Sequence, residues 1–155
     1  MSTDEFEQQL GSLLRDLRGV LIARHGIDAG RDIHAEVVAY AWEHRGEVAT
    51  LANPAGYLYR VSQSRARRYR RWGLVRDLPH EIAHPLLETT ADEGLSAALA
   101  RLNRDERAVA VAVHAYGYSY EQAAELLGTT PAAVRNRLHR AMTKLRRTLR
   151  EDSPS

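Results

Sequence analysis

The stretch Gly117–Arg140, GYSYEQAAELLGTTPAAVRNRLHR, decides the fold of the second half of this 155-residue chain. Ser119 is followed three residues later by Gln122, and this spacing fits a capping box, in which each side chain bonds the backbone amide of the other residue. A helix should therefore begin at Tyr120. Apolar residues at helical spacing predict its buried face, namely Ala123, Leu126 and Leu127.

A second helix should follow after a turn of about three residues. Gly128 lies where a helix typically ends in a left-handed residue, and Thr130 before Pro131 is typical of a helix start. Two helices joined by such a turn form a helix-turn-helix, whose second helix enters the major groove of DNA. The predicted buried stripe of this second helix is Val134, Leu138, Ala141 or Met142, Leu145 and Leu149.

The surface of the second helix suits DNA, because it carries no acid between Pro131 and Arg150. Ala132, Ala133, Arg135 and Asn136 lie at the start of the helix, where base edges would be read. Among them, arginine suits guanine and asparagine suits adenine. Other cations on the helix should hold phosphates, which position a protein without specifying sequence. A helical hairpin that merely packs is the alternative. The predicted DNA-contact residues are Thr130, Ala132, Ala133, Arg135, Asn136, Arg137, Arg140 and Lys144.

Charge is segregated along the chain, although the formal net charge is only +2. Residues 57–76 contain seven arginines and no acid, and residues 131–150 contain six arginines and one lysine, again without an acid. Residues 77–106 carry seven acids. Two basic blocks separated by an acidic spacer indicate two surfaces that each meet a polyanion, while a solvated helix face is the alternative for each block.

Composition excludes several classes of protein. Cysteine is absent, which removes disulfides, thiolate nucleophiles and thiolate-ligated zinc. No run of eighteen apolar residues occurs and the start of the chain is acidic and amphipathic, so we expect neither a membrane span nor a secretory signal. We therefore expect a cytosolic protein with no membrane partner and no cofactor.

The predicted architecture is all-α, since apolar residues recur at helical spacing and no segment alternates with period two. Breaks are predicted at 26–30, 46–54 and 73–91. We expect two small helical domains, 1–74 and 92–151, joined by a flexible linker at 75–91. Each is near the lower size limit for an independent core, so mutual docking or a partner should add stability.

The C-terminal part of the chain resembles a known family. LSAALARLNRDERAVAVAV at Leu95–Val113, followed by the helix-turn-helix stretch, is similar to the promoter-binding C-terminal domain of bacterial sigma factors of the extracytoplasmic-function type. The resemblance implies that this domain binds the minus-35 promoter element and the beta-subunit flap of RNA polymerase. The DNA-contact residues predicted above would then be minus-35 contacts.

The N-terminal part resembles the other domain of the same family. RDIHAEVVAYAW at Arg31–Trp42 is similar to the helix that grips the beta-prime clamp of the polymerase. The family often has an acid at the place of Arg31 and a glutamine at the place of Ala35. The resemblance implies polymerase contacts at Asp32, Ile33 and Glu36.

NPAGYLYRVSQSRARRYRRW at Asn53–Trp72 resembles the helix that recognises and melts the minus-10 element. Melting requires cations for the DNA backbone and planar groups for exposed bases, and stacking on an aromatic ring contributes roughly 1–3 kcal/mol per base. Where the family often has Ala-Arg-Asn, this chain has Ser62-Gln63-Ser64. The predicted minus-10 residues are Tyr57, Arg60, Ser64, Arg65, Arg67, Arg68 and Arg71.

The leading hypothesis is thus a sigma factor that binds core RNA polymerase and promoter DNA and is not an enzyme. The resemblance also allows an inhibitory anti-sigma protein as a partner. A sigma-like DNA-binding regulator that no longer programs polymerase is a second hypothesis, motivated by the departures at Arg31, Ala35 and Ser64.

A zinc metalloprotease is a third hypothesis, because PHEIAHP at Pro79–Pro85 contains the string H-E-x-x-H. Zinc binding by His80 and His84, with Glu81 as general base, needs a sustained helix. Pro85 disfavours helical angles at the preceding histidine and removes the next amide. We therefore interpret the string as part of the linker that matches by chance, and we expect no metal.

Overall fold

The computed structural model describes residues 2–71 and 93–151, and every regular element in these ranges is helical. The all-α prediction is confirmed. In the described ranges no helix is both long and apolar enough to cross a membrane. The predicted linker and the H-E-x-x-H string lie outside these ranges. The helices are α1 Thr3–His25, α2 Ile27–Glu43, α3 Arg45–Val48, α4 Pro54–Arg71, α5 Glu93–Ala100, α6 Arg104–Ala110, α7 Tyr120–Leu127 and α8 Pro131–Glu151.

The break between α1 and α2 is a single residue, Gly26, whose φ of 91° suits glycine. The predicted break over 26–30 is therefore too long, since Ala29 and Gly30 are buried inside α2. Position 30 requires glycine for a different reason. A Cβ at this position would lie 2.6 Å from the Cα of Ile22, so the glycine permits close packing of α2 against α1.

The helix-turn-helix forms as the sequence predicts. The Ser119 hydroxyl accepts from the Gln122 amide at 3.0 Å, and the Gln122 side chain accepts from the Ser119 amide at 2.9 Å. Gly128 ends α7 in the left-handed conformation at φ 66°. Thr130 then caps α8, because its hydroxyl accepts from the Ala133 amide at 3.1 Å.

The buried stripe of α8 departs from prediction at one end. Val134, Leu138, Ala141 and Leu145 are buried as predicted. Leu149, however, is 39% exposed, and the neighbouring Thr148 is buried at 3%. The prediction for Leu149 is wrong because the buried side of α8 continues from Leu145 to Thr148, three residues on, at this end of the helix.

Helix α6 continues without interruption into a π-helical turn, Val111–Ala115. The Tyr116 amide donates to the Val111 carbonyl at 3.2 Å, which is the five-residue spacing of a π-helix. The turn therefore adds one residue to the register just before the chain reaches Tyr116 and Tyr118. Both tyrosines contact α1, as described next.

The N-terminal half (residues 2–71) and the C-terminal half (residues 93–151) share one hydrophobic core. Helix α1 packs on α6 and on the π-helical turn, while α4 packs on α7. Gly19 of α1 leaves room for the Tyr116 hydroxyl, and the Tyr118 hydroxyl donates to the Asp16 carboxylate at 3.0 Å. The expected mutual docking of two small helical units is thus observed. The boundaries 1–74 and 92–151 stay a prediction.

Arg107 of α6 joins the two halves through a buried guanidinium group. Its Nε donates to the Ala23 carbonyl at 2.6 Å, and its other nitrogens donate to the carbonyls of Leu102 and Arg24. The last carbonyls of a helix have no partner within it, so this side chain satisfies the C-terminal end of α1. Beside it, Arg24 forms an ion pair with Asp105 of α6.

His25, the last residue of α1, is buried at 3% exposure, and within residues 2–71 and 93–151 neither of its ring nitrogens has a hydrogen-bond partner. Burial lowers the pKa of His25 to about 3, and positive charges reinforce the shift. Because the folded pKa lies below the unfolded value of 6.5, the unfolded chain binds the extra proton as the pH falls. The positive charges that lower the pKa of His25 in addition to burial are Arg24, Arg70, Arg104 and Arg107.

We therefore expect the contribution of His25 to the free energy of unfolding to be complete above a pH of about 6.5. It should fall as the pH drops from about 6.5 towards 3, because the unfolded chain takes up a proton at this residue. One proton corresponds to about 1.4 kcal/mol per pH unit in this window. His25→Gln should remove that part of the slope in urea unfolding measured at a series of pH values. His114→Gln, at an exposed position, is the control. An unchanged slope in His25→Gln would contradict the assignment.

Candidate nucleic-acid interface

The N-terminal part of α8 presents a free surface. Ala132, Arg135, Asn136 and Arg140 are exposed, and Ala133 is half-buried. Because the alanine side chains are small, this end of the helix can approach a groove closely, and Arg135 and Asn136 can extend towards base edges. The arrangement fits the predicted reading of DNA by the second helix.

Arg137 lies apart from that free surface. It lines a pocket of about 190 Å³ between the halves, together with Tyr59 and Gln63 of α4 and with Asp105. Burial alone would raise the pKa of the Asp105 carboxyl, but the hydrogen bond and charge of Arg24, with the charge of Arg137 after them, lower it. The predicted phosphate ligand therefore faces the N-terminal half in this arrangement.

Lys144 has an internal partner. Its Nζ lies 2.7 Å from a carboxylate oxygen of Glu106, whose side chain is 1% exposed. Glu106 also closes the capping box of α6 with Asn103. The predicted phosphate contact by Lys144 would thus require breaking an ion pair with a buried carboxylate, which is costly.

The outer face of α4 is a basic stripe. Arg60, Ser64, Arg67 and Arg71 are all exposed and follow one another at helical spacing, so they lie on one side of the helix. The opposite side packs in the core through Tyr59, Ser62 and Ala66, among others. Four of the seven predicted minus-10 residues therefore share one accessible face.

The other three predicted minus-10 residues are half-buried. The Tyr57 hydroxyl is hydrogen-bonded to the Tyr40 hydroxyl at 2.7 Å, while the Arg60 guanidinium lies 6.0 Å from the centre of the Tyr57 ring. Arg68 is paired with Glu36 of α2 at 3.4 Å. Arg65 is half-buried and lies off the basic stripe.

The predicted polymerase contacts divide between surface and core. Asp32 is exposed, and Glu36 is partly exposed and paired with Arg68. Ile33 is buried at 0% exposure in the shared core, so the prediction that it contacts polymerase does not fit this structure. Its apolar side chain packs in the shared core instead.

The predicted contacts leave out His139 of α8, which is accessible. His139 is exposed one turn after Arg135 and Asn136, on the same side of the helix. The signal in the sequence is this spacing of three and four residues. Over the residues for which the structure gives positions, no group of three histidine, aspartate or glutamate side chains could hold a metal ion.

Comparisons with known proteins agree with this geometry. The family model "Sigma-70, region 4" matches residues 92–145, which include the helix-turn-helix. The ECF RNA polymerase sigma factor SigL of Mycobacterium tuberculosis is 30% identical over 131 residues, covering 77% of this chain and 74% of that protein. A solved structure of the sigma factor RpoE of Bartonella quintana, in complex with the anti-sigma factor NepR, has a TM-score of 0.67. It is 20% identical and covers 97% of this chain and 100% of that one.

Proposed function

The chain belongs to the extracytoplasmic-function family of RNA polymerase sigma factors, and we propose that its two basic helices each serve one promoter element. As a sigma factor it binds core RNA polymerase and directs promoter recognition and transcription initiation. The observation that carries the division of roles is the presence of accessible cationic faces on α4 and on α8, in different halves of the chain.

We assign minus-35 recognition to the start of α8. Arg135 and Asn136 are accessible and have the hydrogen-bonding groups to read bases, whereas Arg140 lies one turn further and is suited to a phosphate. His139 lies on the same side of α8 and belongs to this surface. Thr130 contributes by fixing the start of the helix.

We assign minus-10 recognition to the basic stripe of α4. Its arginines can hold the backbone of a separated strand, and Tyr57 lies under Arg60, where an exposed base could stack beside the ring. Ser64 lies in the middle of the stripe and can offer one hydroxyl to a base or phosphate.

Polymerase contacts should involve both halves. Asp32 and Glu36 support a contact between α2 and the beta-prime clamp, since Asp32 is exposed and the Glu36 side chain, which is paired with Arg68, is 38% exposed. An apolar groove of about 260 Å³ supports a contact between the C-terminal half and the beta flap. Residues lining the groove are Leu99, Ala110, Val111, His114, Ala115, Met142 and Leu145.

We further propose an anti-sigma protein as inhibitor, because the RpoE structure that shares this fold holds one. A chain of this kind acts on the polymerase and has no catalytic step of its own. Its location would be the cytosol, where core polymerase transcribes DNA.

Two substitutions on α8 should have different effects. Arg135→Ala should relax base preference at one position, costing about 1–3 kcal/mol on the preferred sequence, because a bidentate base contact is lost. Arg140→Ala should weaken binding to all sequences about equally, because a phosphate contact is lost. Binding to a randomised duplex library, followed by sequencing of the bound fraction, separates the two outcomes. Equal effects from both variants would contradict the assigned roles.

Transcription by reconstituted polymerase tests the function as a whole. Core polymerase with this chain, given fragmented genomic DNA at low salt, should produce transcripts that begin downstream of a shared pair of sequence elements. The Asp32→Ala variant should reduce co-purification with core polymerase, whereas Asp28→Ala, an exposed acid of the same helix, should not. Absence of a complex and of transcripts would overturn the proposal.

A further inference from the structure

A polar pocket of about 190 Å³ lies where α1, α4 and α6 meet the helix-turn-helix. At about 30 Å³ per water molecule it has room for about six waters, so a small ligand fits and a DNA duplex does not. Ala108 and Leu127 form its apolar wall. The polar side chains that line it come from separate parts of the chain, namely Arg24, Tyr59, Gln63, Asp105, Thr129 and Arg137.

The pocket has an excess of positive charge. Among the described residues that line it, Arg24 and Arg137 are cations and Asp105 is the one acid. Asp105 forms an ion pair with Arg24, so the lining as a whole keeps one positive charge. Arg104 adds to this positive potential, because its charge acts on the Asp105 carboxyl as well. A cleft lined mainly by one sign of charge concentrates ions of the opposite sign, so the pocket favours an anion.

Arg24 has a donor that is not used. Its side chain is only 14% exposed, and one terminal nitrogen pairs with Asp105. Its Nε is buried and, over residues 2–71 and 93–151, has no hydrogen-bond partner. A buried N–H group without an acceptor costs free energy, and more so when it belongs to a charged group. An anion in the pocket that Arg24 lines would supply the missing acceptor.

Further donors surround the same space. Tyr59 is 2% exposed, and burial raises the pKa of its hydroxyl, which therefore keeps its proton and can donate. The Gln63 amide and the Thr129 hydroxyl can also donate. A tetrahedral oxyanion presents acceptor oxygens on every side, and a planar guanidinium group can bond two of them at once. Donors that approach from several directions therefore suit a phosphate better than a carboxylate, whose two oxygens lie at one end.

We propose that this pocket is a binding site for one phosphate-class oxyanion, held between the guanidinium groups of Arg24 and Arg137. The ligand is either free inorganic phosphate or the phosphate end of a small organic molecule. The site goes beyond promoter recognition and does not depend on it, since Arg135 and Asn136 do not line the pocket. A ligand that binds only the folded chain stabilises it by mass action, so phosphate should also raise the midpoint of thermal unfolding.

The test titrates inorganic phosphate into the full chain at neutral pH and constant ionic strength, and follows the arginine Nε–H signals by NMR. The Arg24 signal, identified by its absence in Arg24→Gln, should move in a saturable way with a Kd of about 1 mM. Arg137→Gln should weaken binding at least about tenfold, because a hydrogen bond to a charged group is lost. Arg147→Gln removes the same charge from an exposed position of α8 outside the pocket, so it is the matched control and should bind like the parent.

Two further arms identify the ligand and protect the test. Gln63→Leu removes a neutral donor at similar size and should weaken binding about fivefold, which keeps the test open if an arginine variant fails to fold. Glycerol 3-phosphate that binds as tightly as inorganic phosphate assigns the site to the phosphate end of an organic molecule, and weaker binding assigns it to the free ion. The proposal is overturned if the Arg24 signal does not saturate, if acetate moves it equally, or if Arg137→Gln and Arg147→Gln weaken binding to the same extent.

Discussion

Gly30→Ala is expected to lower the free energy of unfolding by about 3 kcal/mol, although alanine is the better helix former. Helix propensity alone would favour alanine by about 1 kcal/mol. The added Cβ, however, would lie 2.6 Å from the Cα and 2.8 Å from the amide nitrogen of Ile22, so backbone atoms must move. Separating α1 from α2 opens the core, and overpacking of this kind costs about 1–3 kcal/mol or more.

The matched control is Gly11→Ala in α1, where, apart from the neighbouring helix backbone, no heavy atom of the described residues lies within 4 Å of the added Cβ. There the propensity effect should act alone and stabilise the chain by up to about 1 kcal/mol. Urea unfolding followed by circular dichroism measures both. The two substitutions should differ in sign, and stabilisation by Gly30→Ala would refute the packing of α2 on α1.

Arg107→Met is expected to cost about 3 kcal/mol. The substitution keeps an apolar stem but removes the donors to the carbonyls of Ala23 and Leu102, and an unsatisfied buried group costs about 1–3 kcal/mol. Relief from burying a cation offsets part of this loss. The lost attraction between the guanidinium charge and the C-terminal end of α1 adds to it.

Arg101→Met provides the comparison, since the Arg101 side chain is 60% exposed and its ion pair with Glu151 spans 3.3 Å. An exposed pair contributes about 0–1 kcal/mol, so this variant should unfold almost like the parent. Thermal and urea unfolding at neutral pH measure the stability of both variants. Equal stability of Arg107→Met and Arg101→Met would show that Arg107 does not join the halves.

Local signals in the sequence predict the helices well because their causes are local. The capping box at Ser119, the left-handed Gly128 and the cap at Thr130 depend on residues within one turn, and all three are observed. The predicted break at 26–30 is too long because a glycine has two uses. Gly26 ends a helix through its φ angle, whereas Gly30 serves a contact with another helix, and only a structure separates these uses.

The residues of the candidate site were harder to predict, because their exposure depends on contacts between distant parts of the chain. Arginine content points to α4 and α8, and both helices present exposed arginines. It could not show that Arg137 faces the other half or that Lys144 reaches Glu106, since both contacts need the packed arrangement. Resemblance to a family motif predicts a contact at Ile33, but it does not separate the core positions of a motif from its contact positions.

The π-helical turn at Val111–Ala115 makes the spacing of this region sensitive to chain length. Each residue rotates a helix by about 100°, so the extra residue sets the direction in which Tyr116 and Tyr118 leave it. Deleting one of the alanines would restore a regular helix and turn both aromatic rings away from α1. Loss of one codon here should therefore separate the two halves of the chain while each half stays folded.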